Sequence, residues 1–134
     1  MPYQVFGASC GALALMTACS RAAIARSGSG ILSIASLKLG AASALGVDTD
    51  PIAIEATVAN ARRNAVVRRL RARQGSLPSA DPGFDIVLAN LIADLLVRLA
   101  PQLRDELSPG GSLLASGIFV DREGAVRDAF EGCG

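Results

Sequence analysis

The feature that most constrains the fold is an alternation of helical segments with short apolar runs, which continues from Gly30 almost to the carboxyl end. This alternation is typical of a parallel sheet that is covered by helices. No internal repeat or low-complexity linker interrupts it, and 134 residues is the usual size of one domain. We therefore predict an α/β fold, a Rossmann-like open parallel sheet with helices on both faces.

The individual elements are predicted from apolar periodicity and from the turn and cap residues that flank each run. The fourth strand is nearly continuous and apolar, as expected for a central strand buried on both faces. The predicted strands are Ala22–Ala25, Ala44–Val47, Leu70–Gln74, Phe84–Ala89 and Ser112–Ile118. The first predicted helix starts after Gly30, with Ile31, Ile34, Ala35 and Leu39 on one face. The others run from Asp50-Pro51 to about Asn64, over Leu95–Leu107 with a kink expected at Pro101, and over Arg122–Phe130.

Polar or glycine residues follow three of these strands. They are the loop Ser27–Gly30, Asp48 and Asn90, and in an open parallel sheet ligands bind at this carboxyl edge. Glycines in the loop let a ligand approach the backbone closely. Asp48 follows Gly30 by eighteen residues, where a carboxylate can accept bonds from both hydroxyls of a ribose. The alternatives are an ordinary turn aspartate for Asp48 and a cap of the next helix for Asn90.

The composition excludes several kinds of catalysis. Histidine is absent, and the three cysteines, Cys10, Cys19 and Cys133, form no CxxC pair. We therefore predict no metal site and no Ser-His or Cys-His nucleophile. An unpatterned, odd number of cysteines fits a reducing cytoplasm.

The basic residues are concentrated between Arg62 and Arg73, where six arginines occur within twelve residues and no acid intervenes. The preferred interpretation is a solvated helix end followed by an exposed edge strand, since arginines there also discourage strand pairing. Contact with RNA through this patch is the alternative. The net charge of +1 gives no global attraction to nucleic acid or to anionic membranes.

The amino-terminal segment contains Met16-Thr17-Ala18-Cys19, which resembles a lipoprotein cleavage site. A secretory signal normally begins with positive charge, whereas no Lys or Arg precedes Arg21. The longest uncharged stretch is interrupted by polar and small residues, which makes it a poor membrane span. A cytoplasmic location without membrane attachment is the prediction, with export as the alternative.

Several runs resemble, in this order, the ribosomal protein L11 methyltransferases, a family of class I S-adenosylmethionine-dependent enzymes. Generic dinucleotide-binding proteins share the glycine loop but not the later runs. The likeness extends from about Gly28 to Gly134. The runs are Gly28–Ala35, Leu37–Ala41, Gly46–Pro51, Ala89–Asp94, Leu99–Pro101, Ser108–Gly111 and Ser116–Ile118.

The resemblance implies S-adenosylmethionine as cofactor and methyl transfer to amino groups of a ribosomal protein. It assigns the methionine portion to the loop Gly28-Ser29-Gly30 and the ribose to Asp48. It places Asn90 beside the transferred methyl as the catalytic residue, where its amide offers a donor and an acceptor to an amine substrate. Ser76 is assigned to the cofactor site, because Gly75-Ser76-Leu77 stands where the family has Gly-Asp-Leu.

The chain departs from the family at its amino-terminal end. Ile24 and Arg26 replace an acid and a glycine of the family's first motif. We expect binding that is weaker than in a complete enzyme and less dependent on the ligand's amino group. Residues 1–20 form a diverged, helical segment in this interpretation, and 21–134 form a partial methyltransferase domain that lacks the last two strands of the class I fold.

Three functions follow from these observations. They are an active protein methyltransferase, a non-catalytic cofactor-binding remnant and a fragment of an NAD-dependent oxidoreductase. The last is the weakest, because no second domain, catalytic histidine or substrate-binding pair is visible.

The missing strands predict a bare edge on the strand Ser112–Ile118. That strand carries no charge to discourage pairing. Its free N–H and C=O groups would therefore favour self-association.

Overall fold

The computed structural model describes residues 3–5, 21–76, 82–116 and 118–132. In these residues, strands and helices alternate along the chain. The strands are β1 (Tyr3–Val5), β2 (Arg21–Ala25), β3 (Ser43–Asp48), β4 (Leu70–Gln74), β5 (Phe84–Asn90) and β6 (Leu107–Ser116). The helices are α1 (Ile31–Lys38), α2 (Pro51–Arg63), α3 (Ala93–Glu106) and α4 (Glu123–Gly132), with short 3₁₀ turns at Val67–Arg69 and Val120–Arg122.

The six described strands form one sheet in the order β1-β6-β5-β2-β3-β4, and every neighbouring pair is parallel. From the central pair β2 and β5, the chain proceeds outward to β3 and β4 on one side and to β6 on the other. This reversal of direction is the topological switch point of a doubly wound sheet. The predicted Rossmann-like α/β fold is confirmed.

Two apolar clusters cover the two faces of the sheet. One cluster packs α3 and α4 against the strands through Leu96, Leu103, Val126 and Phe130. The other packs α1 and α2 through Leu37 and Ala61. The sheet is therefore buried on both sides, which explains why β5 is apolar at nearly every position.

The helix predicted after Asp50 begins and ends where the sequence indicated. The Asp50 side chain accepts a hydrogen bond from the backbone N–H of Ile52 at 2.9 Å, and Pro51 takes the first helical position. The helix ends at Arg63, with Asn64 as its cap. The arginines that follow lie on a 3₁₀ turn and on β4, which is an edge strand of the sheet formed by the described residues. This position agrees with the prediction that the arginines follow a helix end and lie on an edge strand.

The predicted apolar face of α1 is buried only in part, at Ile34, which packs against the core. Ile31 is 70% exposed and Leu39 is 40% exposed, whereas Ser33, Ser36 and Leu37 are buried. The helix approaches β3 closely at Gly46, where an added Cβ would lie 3.2 Å from the Ser33 hydroxyl oxygen. Small serine side chains therefore face the sheet, because larger apolar ones would not fit.

The boundary between α3 and β6 also differs from the prediction. Leu107 was expected to end the helix, but it pairs with Phe84 as the first residue of β6. The register then shifts, so that Ile86 pairs with Ser112. The Ser108–Gly111 run is thus an irregularity within the strand and not a turn before it. At its other end β6 stops at Ser116, and α3 continues through Pro101 to Glu106.

The edge of β6 that was predicted to be bare is covered in part. β1 pairs with it in parallel, matching Tyr3 with Leu113 and Val5 with Ala115. These three amino-terminal residues are a strand, so the expected helix is wrong for them. Residues 6–20, on which the rest of that prediction falls, lie outside the described residues.

Candidate functional site

The first cavity opens at the switch point, between the carboxyl ends of β2 and β5. Its volume is about 510 Å³. It is lined by the loop after β2, by the start of α1 and by the segment Asn90–Ile92. This is the crevice in which open α/β sheets bind ligands.

A second cavity of about 560 Å³ lies beside the first, toward β3 and β4. Its polar side includes Asp48 and Ser76, and its apolar wall is formed by Leu95 and Leu99. Arg26, Gly28 and Leu91 line both cavities. The two therefore form one extended cleft along the carboxyl edge of the sheet.

The two glycines of the loop have different roles. Gly28 has a φ of 57°, and an added Cβ would meet nothing within 4 Å, so this residue leaves the backbone open to the cleft. Gly30 has a φ of 86° and faces α2, where an added Cβ would lie 2.9 Å from the Thr57 methyl carbon and 3.0 Å from the Thr57 Cα. Gly30 lines neither cavity. It permits close packing of the loop on α2, whereas Gly28 permits approach of a ligand.

Buried hydroxyl groups fix the loop against the neighbouring elements. The Ser27 backbone N–H donates to the Val47 carbonyl at 2.8 Å. Thr57, which is fully buried, donates from Oγ1 to the Gly28 carbonyl at 3.1 Å. The Ser27 hydroxyl lies 3.0 Å from the same Oγ1 and must be the donor there, because the single threonine proton is already used. The loop is thus held in place without any ligand.

Asp48 lies at the end of β3 and connects two loops. Its Oδ2 accepts a hydrogen bond from the Gly28 N–H at 3.0 Å, and its Oδ1 accepts one from the Asp50 N–H at 3.0 Å. The second bond is the turn interaction that the alternative interpretation expected. Each oxygen of a carboxylate can accept a further bond, and the side chain borders the second cavity, so it can also receive hydroxyl donors.

Asn90 is exposed at the end of β5 and borders the first cavity. The alternative role as a helix cap does not apply, because the N-cap of α3 is Ile92 and no side chain caps that helix. No hydrogen-bond partner of the Asn90 side chain exists among the described residues. Its amide is therefore available to a molecule in the cleft.

The other predicted site residues are also at the cleft. Ser29 is exposed in the first cavity, and its carbonyl accepts a bond from Asn60 Nδ2 at 2.9 Å. Ser76 lies next to Gly75 in the second cavity. Ile24, by contrast, is fully buried in the core and lines neither cavity.

The sequence did not reveal five of the residues that line the cleft. Leu95 and Leu99 were predicted only as part of a helix, and Ile31 only as part of the apolar face of α1. Leu91 directly follows Asn90, and Arg26 was identified only as a departure from the family's first motif. The apolar wall could not be distinguished from core packing, since both use leucine at helical spacing.

Two further kinds of site are absent from the part of the chain that the structure describes. No group of three or more cysteine, aspartate or glutamate residues there is arranged to hold a metal ion. No described helix is long and apolar enough to cross a membrane.

The family model and the related sequences that match this chain carry the same description. Residues 25–133 match the family model described as ribosomal protein L11 methyltransferase (PrmA). The chain is 50% identical over 109 residues to the ribosomal protein L11 methyltransferase of Thermus thermophilus, and 44% identical over 107 residues to that of Syntrophotalea carbinolica. Each alignment includes 80% of this chain.

The structural comparison agrees with the sequence comparisons. A crystal structure of the ribosomal protein L11 methylase from Lactobacillus delbrueckii subsp. bulgaricus superposes with a TM-score of 0.79 at 32% identity, over 86% of this chain and 59% of the other. The chain spans only 42% and 35% of the length of the Thermus and Syntrophotalea relatives. The similarity therefore concerns one portion of these longer proteins.

Proposed function

The chain belongs to the ribosomal protein L11 methyltransferase family, and from this premise we propose that it binds S-adenosylmethionine in the cleft and transfers the methyl group to an amino group of a ribosomal protein. The observation that carries the proposal is the extended cleft at the switch point. Asp48 borders one end of it, Asn90 borders the other, and the open backbone of Gly28 lies between them.

The two cavities suit the two halves of the cofactor. In the second cavity, Asp48 would hold the ribose through its hydroxyls, and Leu95, Leu99 and Ser76 would hold the adenine. In the first cavity, Gly28 and Ser29 would hold the methionine portion. The volumes of about 510 and 560 Å³ both lie in the range of small-molecule sites.

When bound, the cofactor would supply a methyl group attached to a positively charged sulfur. The sulfur is a good leaving group because it leaves as a neutral thioether. Asn90 would accept a hydrogen bond from the substrate amine through its side-chain oxygen and so orient the nitrogen. The chemistry supplied would be methyl transfer to this nitrogen, with the electron pair of the broken C–S bond left on sulfur and the amine proton released to water. Most of the rate enhancement then comes from alignment of the reacting groups.

The substrate and the location are part of the proposal. The named activity belongs to relatives of which this chain covers less than half. Ribosomal proteins are made and assembled in the cytoplasm, so the proposal places the chain there.

The test begins with calorimetric titration of the chain with S-adenosylmethionine, followed by an assay for transfer of labelled methyl to ribosomal protein L11. We expect saturable binding and labelling of the substrate. Asn90→Ala should retain binding but lose most of the transfer, because Asp48 and the loop at Gly28, which are assigned to the ribose and to the methionine portion, are unchanged. Binding without transfer would support the non-catalytic remnant. Binding of NAD in preference to S-adenosylmethionine would support the oxidoreductase fragment.

A further inference from the structure

Arg26 places a positive charge at the point where the two cavities of the cleft meet. It directly follows β2, is exposed and borders both cavities. No hydrogen-bond or ion-pair partner of Arg26 exists among the described residues. As far as the described residues show, its guanidinium is therefore available to an anionic group of a ligand.

The backbone at Arg26 is strained. Its φ is 62°, and only one other described non-glycine residue, Ala65, has a positive φ. The left-handed conformation costs an L-residue about 1–2 kcal/mol, whereas glycine adopts it freely. A large charged side chain is therefore kept where glycine would be less strained. Strain of this kind, observed at a ligand cleft, is a reason to look for a functional role.

The surroundings of Arg26 give the first cavity a positive character. No acidic residue is among the residues that line this cavity. The carboxylate of Asp48 borders the second cavity and already accepts bonds from Gly28 and Asp50. Ile24, two residues earlier, contributes only a buried apolar side chain. A ligand group that enters the first cavity thus meets one cation and neutral donors, which favour an anion and disfavour an ammonium.

We propose that Arg26 binds the carboxylate of the methionine portion, and that this chain recognises its cofactor through that carboxylate and not through the amino group. The inference rests on the proposed function, because it assumes an adenosyl ligand in the cleft. The guanidinium matches a carboxylate with two parallel N–H donors, a geometry that lysine cannot reproduce. Arg26 is therefore a specificity-determining residue for the cofactor.

The test measures the affinity of three ligands for the intact chain by calorimetry. They are S-adenosylhomocysteine, its analogue with hydrogen in place of the carboxylate, and its analogue with hydrogen in place of the amino group. Loss of the carboxylate should weaken binding about 10- to 100-fold, the range for a charged hydrogen bond. Loss of the amino group should change affinity less than about threefold, or improve it, because the repulsion from Arg26 disappears.

Two variants assign these effects to the side chain. Arg26→Met keeps the length of the side chain and the backbone strain but removes the charge. It should therefore bind S-adenosylhomocysteine and the analogue without the carboxylate with nearly equal affinity. Arg26→Lys should recover only part of the preference for the carboxylate. Arg26→Gly removes both charge and strain and serves as the control for access to the cleft.

The outcomes separate the inference from the proposed function. If wild-type protein binds S-adenosylhomocysteine but gains nothing from its carboxylate, the inference is wrong and the proposed function stands. If Arg26→Gly binds S-adenosylhomocysteine more tightly than wild type, Arg26 obstructs the cleft, which also overturns the inference. If neither the wild type nor any variant binds an adenosyl ligand, the proposed function fails and the inference fails with it.

Discussion

At the scale of single residues, Gly28 and Gly30 show how one short motif serves two different contacts. Both have positive φ values, yet only Gly30 is closely packed, with the Thr57 Cα 3.0 Å from the position of an added Cβ. The sequence indicated a ligand-binding loop, but it did not indicate that the two glycines have different roles. It depends on α2, which lies more than twenty residues further along the chain and contacts the loop only in the folded protein.

Alanine at each glycine should therefore have a different effect on the free energy of unfolding. Gly28→Ala should cost about 1–2 kcal/mol, the penalty of the left-handed backbone alone. Gly30→Ala adds an overlap with the α2 backbone, for which a further 1–3 kcal/mol is typical. Urea denaturation of both variants measures the difference. Equal losses would mean that the loop does not pack on α2 as described.

Ligand affinity should respond to the two substitutions in the opposite order, with the greater loss in Gly28→Ala. Gly28 borders both cavities, so the added methyl group should weaken S-adenosylhomocysteine binding even though the fold is largely retained. A Gly28→Ala protein with unchanged affinity would show that the ligand does not pass over this residue.

Asp48 supports a prediction about individual hydrogen bonds. Asp48→Ala should weaken binding of S-adenosylhomocysteine by about 1.5–3 kcal/mol, the range for hydrogen bonds to a charged group. The carboxylate also holds the Gly28 and Asp50 N–H groups, so the variant could act through the loop. A ligand that lacks both ribose hydroxyls separates the two causes, since the wild type and the variant should bind it equally. A similar loss with both ligands would assign the effect to the loop.

At the scale of helices and strands, sequence prediction succeeded where one local interaction determines the structure. The start of α2 follows from Asp50 and Pro51, and β5 follows from its continuous apolar run. It failed where the outcome depends on a distant neighbour. The buried face of α1 is set by its close approach to Gly46, and the early start of β6 is set by pairing of Leu107 with Phe84.

The carboxyl end of α2 carries a second strained residue, which leads to a prediction about stability. Ala65 follows the helix cap with a φ of 58°, and its N–H donates to the Arg62 carbonyl at 3.1 Å. Glycine favours this position, because it has no Cβ to clash. Ala65→Gly should relieve about 1–2 kcal/mol of strain, less about 0.4–1 kcal/mol for the greater freedom of glycine in the unfolded chain. Thermal denaturation should show a modest stabilisation, and a destabilised variant would contradict the left-handed geometry.

At the scale of the whole molecule, β1 covers part of the sheet edge at β6. The prediction of a bare edge was wrong over Leu113–Ala115, because β1 pairs there. Tyr3–Val5 has no periodic pattern from which this strand could be recognised, and its partner lies about 110 residues away along the chain. Only tertiary pairing makes these three residues a strand.

Removal of residues 1–5 should expose the apolar edge of β6 and promote self-association, since free strand edges pair with other chains. Sedimentation velocity at several concentrations compares the shortened chain with the full chain. The shortened chain should sediment faster as its concentration rises, to a greater extent than the full chain. Identical behaviour of the two proteins would show that β1 does not protect this edge.

The most direct test of the central claim locates the ligand within the whole molecule. Backbone amide signals of the isotopically labelled chain are recorded by nuclear magnetic resonance during titration with S-adenosylhomocysteine. We expect the amides of Gly28, Asp48 and Asn90 to shift together and saturate together, whereas those at the opposite edge of the sheet, including Ser43 and Arg69, remain in place. Saturating shifts confined to that opposite edge, or no shifts at any ligand concentration, would contradict a cofactor site in the cleft between β2 and β5.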